Sequence, residues 1–334
     1  MYQSGSLLLK TERFFLKKFE SLTYSLTNKF NKNFDSYLKY AGSPGLSLPR
    51  NIGDALSPYI YKKLTGQTNT INVGYQNFYK QKNYMIVGSI LQFADENTIV
   101  WGAGFNNKLS TFGNSDWKML SCRARDEWDV FPRKIYSVRG PLTRDRVLES
   151  GMNCPSIFGD PAILMPAIYR PSSLKKRYKL GIVPHYYHAR SAVIQRFSND
   201  PDVAIISVFQ KPENFINKLL ECESIASSSL HGLILAKSYK IPSAWIIPDI
   251  FFDKGSDIKY FKFRDYLNSI QSEQIEPLVI GPCTEKAEII ESCRIIDDKI
   301  MKLLSESLLR SCPFIRQEIY DEILNYVMNH KNKM

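Results

Sequence analysis

The stretch Ser227-Ser228-Ser229-Leu230-His231-Gly232-Leu233-Ile234-Leu235-Ala236 carries the fold in miniature. Upstream of it, Phe215, Leu219 and Leu220 fall at helical spacing, and Glu223-Ser224-Ile225-Ala226-Ser227 reads as a strand ending in hydroxyls. The serines then predict a cap for a helix that begins near Leu230 and sets one of the chain's four histidines on its first turn. Helix, strand and helix in succession is the building unit of a parallel sheet. A helix N-terminus presents unpaired N–H groups and the positive end of the helix dipole, so an anion is favoured there with the imidazole of His231 beside it. Taken alone the turn has two readings, because serine-rich caps are common and a histidine in that place is equally a packing residue.

The same alternation extends in both directions. Asn51-Ile52-Gly53-Asp54 opens a helix that runs through Tyr61 to Leu64, with Pro58 tolerable only near its start. Tyr84-Met85-Ile86-Val87-Gly88-Ser89 and Thr98-Ile99-Val100-Trp101-Gly102-Ala103-Gly104 read as buried strands ending in glycine. Ile135 to Val138 is another, followed by Arg139-Gly140-Pro141 and a helix from Leu142 to Glu149, and Ile157 to Pro161 closes this half. A linker is expected near Tyr169 to Ser173. Beyond it come strands at Lys179–Val183, Val203–Ser207 and Ser243–Ile247, and then helical stretches at Ala287–Leu309 and Ile315–Met328. Strands alternating with helices, with glycines at strand ends, predict an α/β protein whose ligand crevice lies at the carboxyl ends of parallel strands. The expected organisation is two Rossmann-like domains facing a cleft, as in the glycosyltransferase-B architecture, with C-terminal helices. The divisions are a basic amphipathic segment (1–45), an N-terminal domain (46–170), a C-terminal domain (171–283) and the terminal helices (284–334).

Composition fits this reading. A chain of 334 residues with 44% hydrophobic content suits two cores. No apolar run reaches the roughly 18 residues that a spanning helix needs. Met1 to Lys10 lacks a positive region ahead of the short Leu7-Leu8-Leu9 run, so a signal peptide is not expected and the location reads as cytoplasmic. The six cysteines form no CxxC pair, which argues against zinc and against a disulfide framework and for free thiols in a reducing compartment. The net charge of +11 is spread along the chain without a nucleic-acid-binding motif, so nucleic acid is not an expected partner; anionic small substrates or an acidic membrane surface are. Lys10, Arg13, Lys17 and Lys18 interleave with Phe14, Phe15, Leu16 and Phe19. That segment reads either as an amphipathic helix packed on its own domain or as a peripheral contact at the inner membrane face.

Several residues then qualify for chemistry. Gly53 permits a tight turn or close ligand approach, Asn51 precedes it, and Asp54 reads as a helix cap or a base. Gly102-Ala103-Gly104 is compatible with an anion nest. Arg139, just past a strand, either grips a carboxylate or phosphate bidentately or pairs with an acid such as Asp160. His185 and His188 bracket Tyr186 and Tyr187 beyond a strand end, placed for a sugar or its phosphate; with no third ligand they are not a metal motif.

In order, the pieces become specific. Asn51-Ile52-Gly53-Asp54 with Leu56-Ser57-Pro58-Tyr59-Ile60, Val87-Gly88-Ser89-Ile90, Trp101-Gly102-Ala103-Gly104, Val138-Arg139-Gly140-Pro141-Leu142-Thr143, Gly159-Asp160-Pro161-Ala162 and Ser227-Ser228-Ser229-Leu230-His231-Gly232 together resemble the polysaccharide pyruvyl transferase family over roughly residues 48 to 248. The resemblance implies a two-domain fold, phosphoenolpyruvate as donor and a pair of saccharide hydroxyls as acceptor, on a surface polysaccharide or its lipid-linked precursor, with a pyruvate ketal as product. No cofactor beyond that donor and no metal is expected. The family's histidine role in donor binding and proton transfer carries over to His231, with Asp54 or Asp160 as the base and Arg139 on the donor. Many members place an arginine two positions before that histidine, where this chain has Ser229. A hydroxyl binds phosphate without neutralising it, so the charge must come from elsewhere, with Arg139, Arg144 and His185 as the candidates. A glycosyltransferase using a nucleotide sugar and a non-catalytic sugar-binding subunit are the competing readings, since fold alone does not set chemistry.

Overall fold

The structure is a computed structural model and describes residues 36–41, 51–73, 81–110, 112, 131–171, 174–254 and 256–329. The basic segment around Lys10 to Phe19 lies outside these residues.

Two parallel five-stranded sheets organise the described residues. The first consists of β1 (Ser36–Tyr40), β2 (Thr70–Asn72), β3 (Lys82–Met85), β4 (Thr98–Trp101) and β5 (Lys134–Ser137), in the spatial order β2-β1-β3-β4-β5. The second consists of β6 (Tyr178–Val183), β7 (Val203–Ile205), β8 (Cys222–Ser227), β9 (Ser243–Pro248) and β10 (Leu278–Ile280). Its order is β10-β9-β8-β6-β7. Counted from its own first strand, each sheet therefore runs 2-1-3-4-5. In this doubly wound order the winding reverses between the first and third strands, and ligands bind beyond the carboxyl ends there. The repeat is one of topology, so no sequence period announces it.

β1 shows that the first sheet starts before residue 46. Ser36–Tyr40 is an inner strand, paired in parallel with both β2 and β3, inside the stretch that sequence reading gave to an N-terminal appendage. Lys39 in mid-strand hid it. That lysine is buried and its ammonium meets the Asp95 carboxylate at 2.6 Å, so a basic residue serves an inner strand.

Among the described residues the eight principal helices are α1 (Ile52–Thr65), α2 (Pro141–Glu149), α3 (Pro212–Leu220), α4 (Leu230–Ser238), α5 (Asp257–Ser269), α6 (Lys286–Glu291), α7 (Asp298–Arg310) and α8 (Gln317–Asn329). Asn51 caps α1 by accepting hydrogen bonds from the Gly53 and Asp54 amides, and Gly66 ends it in the left-handed conformation. Pro58 sits inside this helix, past the first turn where the sequence reading tolerated it. The expected helix at 287–309 is broken at Cys293 to Ile296, where Arg294 pairs with Ser243 in a short antiparallel bridge.

Helix α4 holds the molecule together. Every residue from Leu230 to Ser238 is buried, which is why its sequence has no polar face. It packs on β8 and β9 behind it, and on α1 and the Pro161–Leu164 turn of the first half in front. One buried cluster consequently runs from Leu38, Ile52 and Trp101 through Leu230, Leu233 and Ile234 to Trp245. The C-terminal helices return to the first sheet: the Trp101 indole N–H donates to the Leu308 carbonyl at 2.9 Å, and Phe314 packs on Tyr61, Tyr84 and Trp101. Among the described residues no helix is long and apolar enough to cross a membrane.

If α4 is the shared core of both halves, Leu233→Ala destabilises the whole chain by roughly 2–5 kcal/mol. Urea denaturation followed by far-UV circular dichroism should show one transition moved to lower urea. Two separated transitions would mean that the halves fold independently.

Candidate functional site

Three of the sequence motifs meet at His231. The ring occupies the first turn of α4 and is largely buried. Its Nε2 faces the Asp160 Oδ2 at 3.4 Å, and neither atom has a hydrogen-bond partner. Asp160 arrives from the loop that follows the Val138–Phe158 bridge; its Oδ1 accepts from the Ala162 amide at 3.0 Å, which fixes the carboxylate. On the other side of the ring stands the N-terminus of α1. A Cβ built on Gly53 would lie 2.2 Å from His231 Nδ1, so only glycine allows α1 and α4 to approach this closely. Asp54 follows on α1, with the Asn51 side-chain amide donating to its Oδ2 at 3.1 Å. Asn51 is thus the cap and Asp54 is held beside it.

The serine turn is wired differently from the expected cap. Ser229 stands at the N-cap of α4 without a side-chain cap bond. Ser227 Oγ instead accepts from the Ser229 amide and donates to the Ser229 carbonyl, bracing the turn from within. Ser228 Oγ accepts from the His185 amide at 2.9 Å and lies 3.0 Å from His188 Nδ1, which joins the turn after β8 to the turn after β6. These are the switch-point strands of the second sheet.

Beyond them lies an aromatic shelf. His185, Tyr186 and Tyr187 stack loosely, Phe209 adjoins Tyr186, and His188 stacks on Phe251 at 4.4 Å. Tyr187 and Phe209 are 69% and 64% exposed, so the shelf faces solvent. Burial, with the charge of Lys262 next, pushes His185 down to about 3 and His188 to about 4. Both rings are neutral at physiological pH, and His185 does not supply the cation once expected of it.

Nor does Arg139 offer a free guanidinium. The side chain is completely buried: Nε pairs with Asp265 Oδ2 at 2.9 Å, one terminal nitrogen donates to Ser89 Oγ at 2.7 Å and the other to the Phe105 carbonyl at 2.6 Å. The acid it pairs with is Asp265 of α5, not Asp160. Asp265 also accepts from the Thr143 amide and hydroxyl, so the arginine clamps α5 onto the start of α2. Gly104 leaves space for this clamp, because a Cβ there would lie 2.6 Å from the guanidinium carbon. The glycine of the expected anion nest therefore makes room for a side chain. Arg144 points away to donate to the Cys154 carbonyl.

The residues that sequence reasoning missed sit on α5. Asp265 and Lys262 lie one turn apart on this helix, outside the recognised motifs, where charges read as a solvated face. Tyr266 beside them is fully buried with an unpartnered hydroxyl, and burial followed by the Asp160 charge raises its pKa. Among the described residues no three of His, Cys, Asp and Glu gather as a metal site.

The sequence profile of the polysaccharide pyruvyl transferase family matches residues 12–249. Two relatives are each 26% identical. An uncharacterized protein, L143, of Acanthamoeba polyphaga mimivirus aligns over 294 residues, 83% of this chain and 93% of its own. The succinoglycan biosynthesis protein ExoV of Rhizobium meliloti (strain 1021) aligns over 225 residues, 66% of this chain and 61% of its own. No solved structure matches significantly.

Two predictions follow from the geometry. Gly53→Ala forces α1 away from His231, so it should lower the melting midpoint and move the imidazole resonances of His231 in NMR spectra; unchanged resonances would mean the contact is not close. The neutral histidines also set a pH dependence. Below the ordinary value of about 6.5 the unfolded chain takes up protons that folded His185 and His188 refuse, so stability falls with pH until their folded values are reached. Urea midpoints should drop between pH 7 and pH 5, and less steeply in the His185→Gln, His188→Gln double variant. An equally steep drop would place the effect elsewhere.

Proposed function

Because the chain belongs to the polysaccharide pyruvyl transferase family, we propose that it transfers the carboxyvinyl group of phosphoenolpyruvate onto two hydroxyls of a saccharide. The product is a pyruvate ketal and inorganic phosphate. The observation that carries this reading is the His231–Asp160 pair: an imidazole on a helix N-terminus, faced by a fixed carboxylate, with both buried atoms otherwise unpartnered.

The chemistry is redox-neutral. A proton is added to the methylene carbon of the donor, making a methyl group and an electrophilic carbon beside the carboxylate. One acceptor hydroxyl adds to that carbon and loses its proton; the carbon–oxygen bond to phosphate breaks, and phosphate leaves with a proton. The second hydroxyl then adds and loses its proton, so two protons leave the acceptor while one is gained by carbon and one by phosphate. His231 is the general acid. Asp160 faces its Nε2 side, which leaves Nδ1, over Gly53, to pass the proton. Asp54 accepts from the attacking hydroxyl. Ser229 and the first-turn amides of α4 receive the phosphate oxygens.

The donor would sit in a crevice where the switch points of the two sheets face each other, as in the glycosyltransferase-B arrangement. The shelf of Tyr186, Tyr187 and Phe209 would lie under the acceptor, since aromatic faces suit the C–H face of a sugar ring. A polysaccharide or its lipid-linked precursor is the acceptor class, in line with the name of the ExoV relative. We place the activity in the cytoplasm, where phosphoenolpyruvate is made.

Phosphate release from phosphoenolpyruvate with a saccharide-lipid extract, with the ketal followed by its mass and by its acid lability, tests the proposal. His231→Ala should lower the rate by ~10²–10⁴-fold. A rate within tenfold of wild type would remove His231 from proton transfer, and turnover with a nucleotide sugar in place of phosphoenolpyruvate would replace the reading with glycosyl transfer.

A further inference from the structure

We infer that Lys262 is the cation that holds the anionic end of the donor, in the role for which Ser229 lacks charge; this rests on the donor reading above. Lys262 lies on α5, one turn before Asp265. The Arg139–Asp265 clamp fixes that part of the helix against the start of α2 and against Ser89 beyond β3. From there the ammonium interacts across both halves: with Asp54 of α1 and Arg139 in the first, and with His185 and His188 beyond β6 in the second. It is therefore at the place where the α1 cap and the switch point of the second sheet come together.

Its own state is unusual for a lysine. The side chain is half-buried, yet among the described residues no hydrogen-bond acceptor or carboxylate is bonded to its nitrogen. Burial, then the neighbouring Arg139 charge, pulls it down to about 8 against a smaller opposing pull from Asp54. Its nitrogen lies 6.0 Å from the centre of the Phe263 ring, a contact that leaves its hydrogen-bonding capacity unused. A ligand anion supplies what is missing.

Elimination leads to the same residue. Arg139 is consumed by the clamp, Arg144 by the Cys154 carbonyl, and His185 and His188 are neutral. Lys237 lies at the far end of α4, buried near Cys293. Of these basic groups, Lys262 is the one left to meet an anion. Phosphate and carboxylate share the chemistry that it recognises, and a panel of small anions separates them.

The test is isothermal titration of the full chain with phosphoenolpyruvate, inorganic phosphate and pyruvate, for wild type, Lys262→Met, Lys262→Arg and Lys299→Met. The last removes the same charge from an exposed site and should bind as wild type does. Lys262→Met should weaken phosphoenolpyruvate roughly 10- to 100-fold, the worth of one charge-assisted contact, and Lys262→Arg should recover most of it. Loss of phosphate binding with pyruvate unchanged assigns the phosphoryl end; the converse assigns the carboxylate. The unliganded melting midpoint of Lys262→Met should be no lower than that of wild type, whereas a purely structural lysine would lower it. Wild-type affinity should also decline as pH rises through about 8, as the free lysine loses its proton. Lys262→Arg should stay level over that range, because His185 and His188 are already neutral. Lys262→Met binding phosphoenolpyruvate within threefold of wild type overturns the inference while leaving the donor reading intact. Phosphate binding that depends on Lys262 in a chain that ignores phosphoenolpyruvate does the reverse, and a wild type that binds none of the three anions overturns both.

Discussion

Everything at the site depends on two helix N-termini meeting with no side chain between them. α1 and α4 belong to different sheets, and their first turns touch where Gly53 faces the ring of His231. A methyl group at Gly53 would occupy the space of the imidazole. The contact places Asn51 and Asp54 on one side of the ring and leaves Asp160 on the other. Two positive helix ends in one place are an unfavourable pairing by themselves, and the Asp54 and Asp160 carboxylates moderate it. What the arrangement favours is an anion.

The second constraint is the repeated winding. Both sheets follow the 2-1-3-4-5 order; α1 comes after the switch-point strand β1 and α4 after the switch-point strand β8, and the two helices meet where Gly53 faces His231. The Arg139–Asp265 clamp then ties α5, which follows β9 in the second sheet, to the first half. A fully buried ion pair is weak evidence for net stability, since both charges are stripped of water. Its value here is geometric. With Nε on Asp265 and the terminal nitrogens on Ser89 and the Phe105 carbonyl, one side chain fixes three segments, and α5 carries Lys262 into place as a result.

Much of this was legible in the sequence because the signals were local. The strands at 98–101, 135–137, 179–183 and 243–247 announced themselves as short apolar runs, and the glycine and serine turns after them marked the ligand side. His231, Gly53, Asn51, Asp54 and Asp160 were singled out and do converge in space. What failed to read out were interactions between distant residues. Nothing local to Lys39 marks it as part of an inner strand, because its partner, Asp95, is 56 positions away. Arg139 read as an anion ligand or as a partner of Asp160, because the acid it does pair with is 126 positions on. His185 looked like a cation because burial, which neutralises it, is a property of the folded chain. Lys262 was overlooked for the same reason: on a helix of mixed polarity nothing distinguishes the lysine that faces a site from those that face water.

A crystal structure of the chain with phosphoenolpyruvate bound tests the central claim most directly. The account predicts the donor at the junction of α1 and α4, its methylene carbon within reach of His231 Nδ1 and its anionic groups between the first turn of α4 and Lys262. Donor density at any other place, or beside an imidazole that has turned away from Asp160, would contradict it.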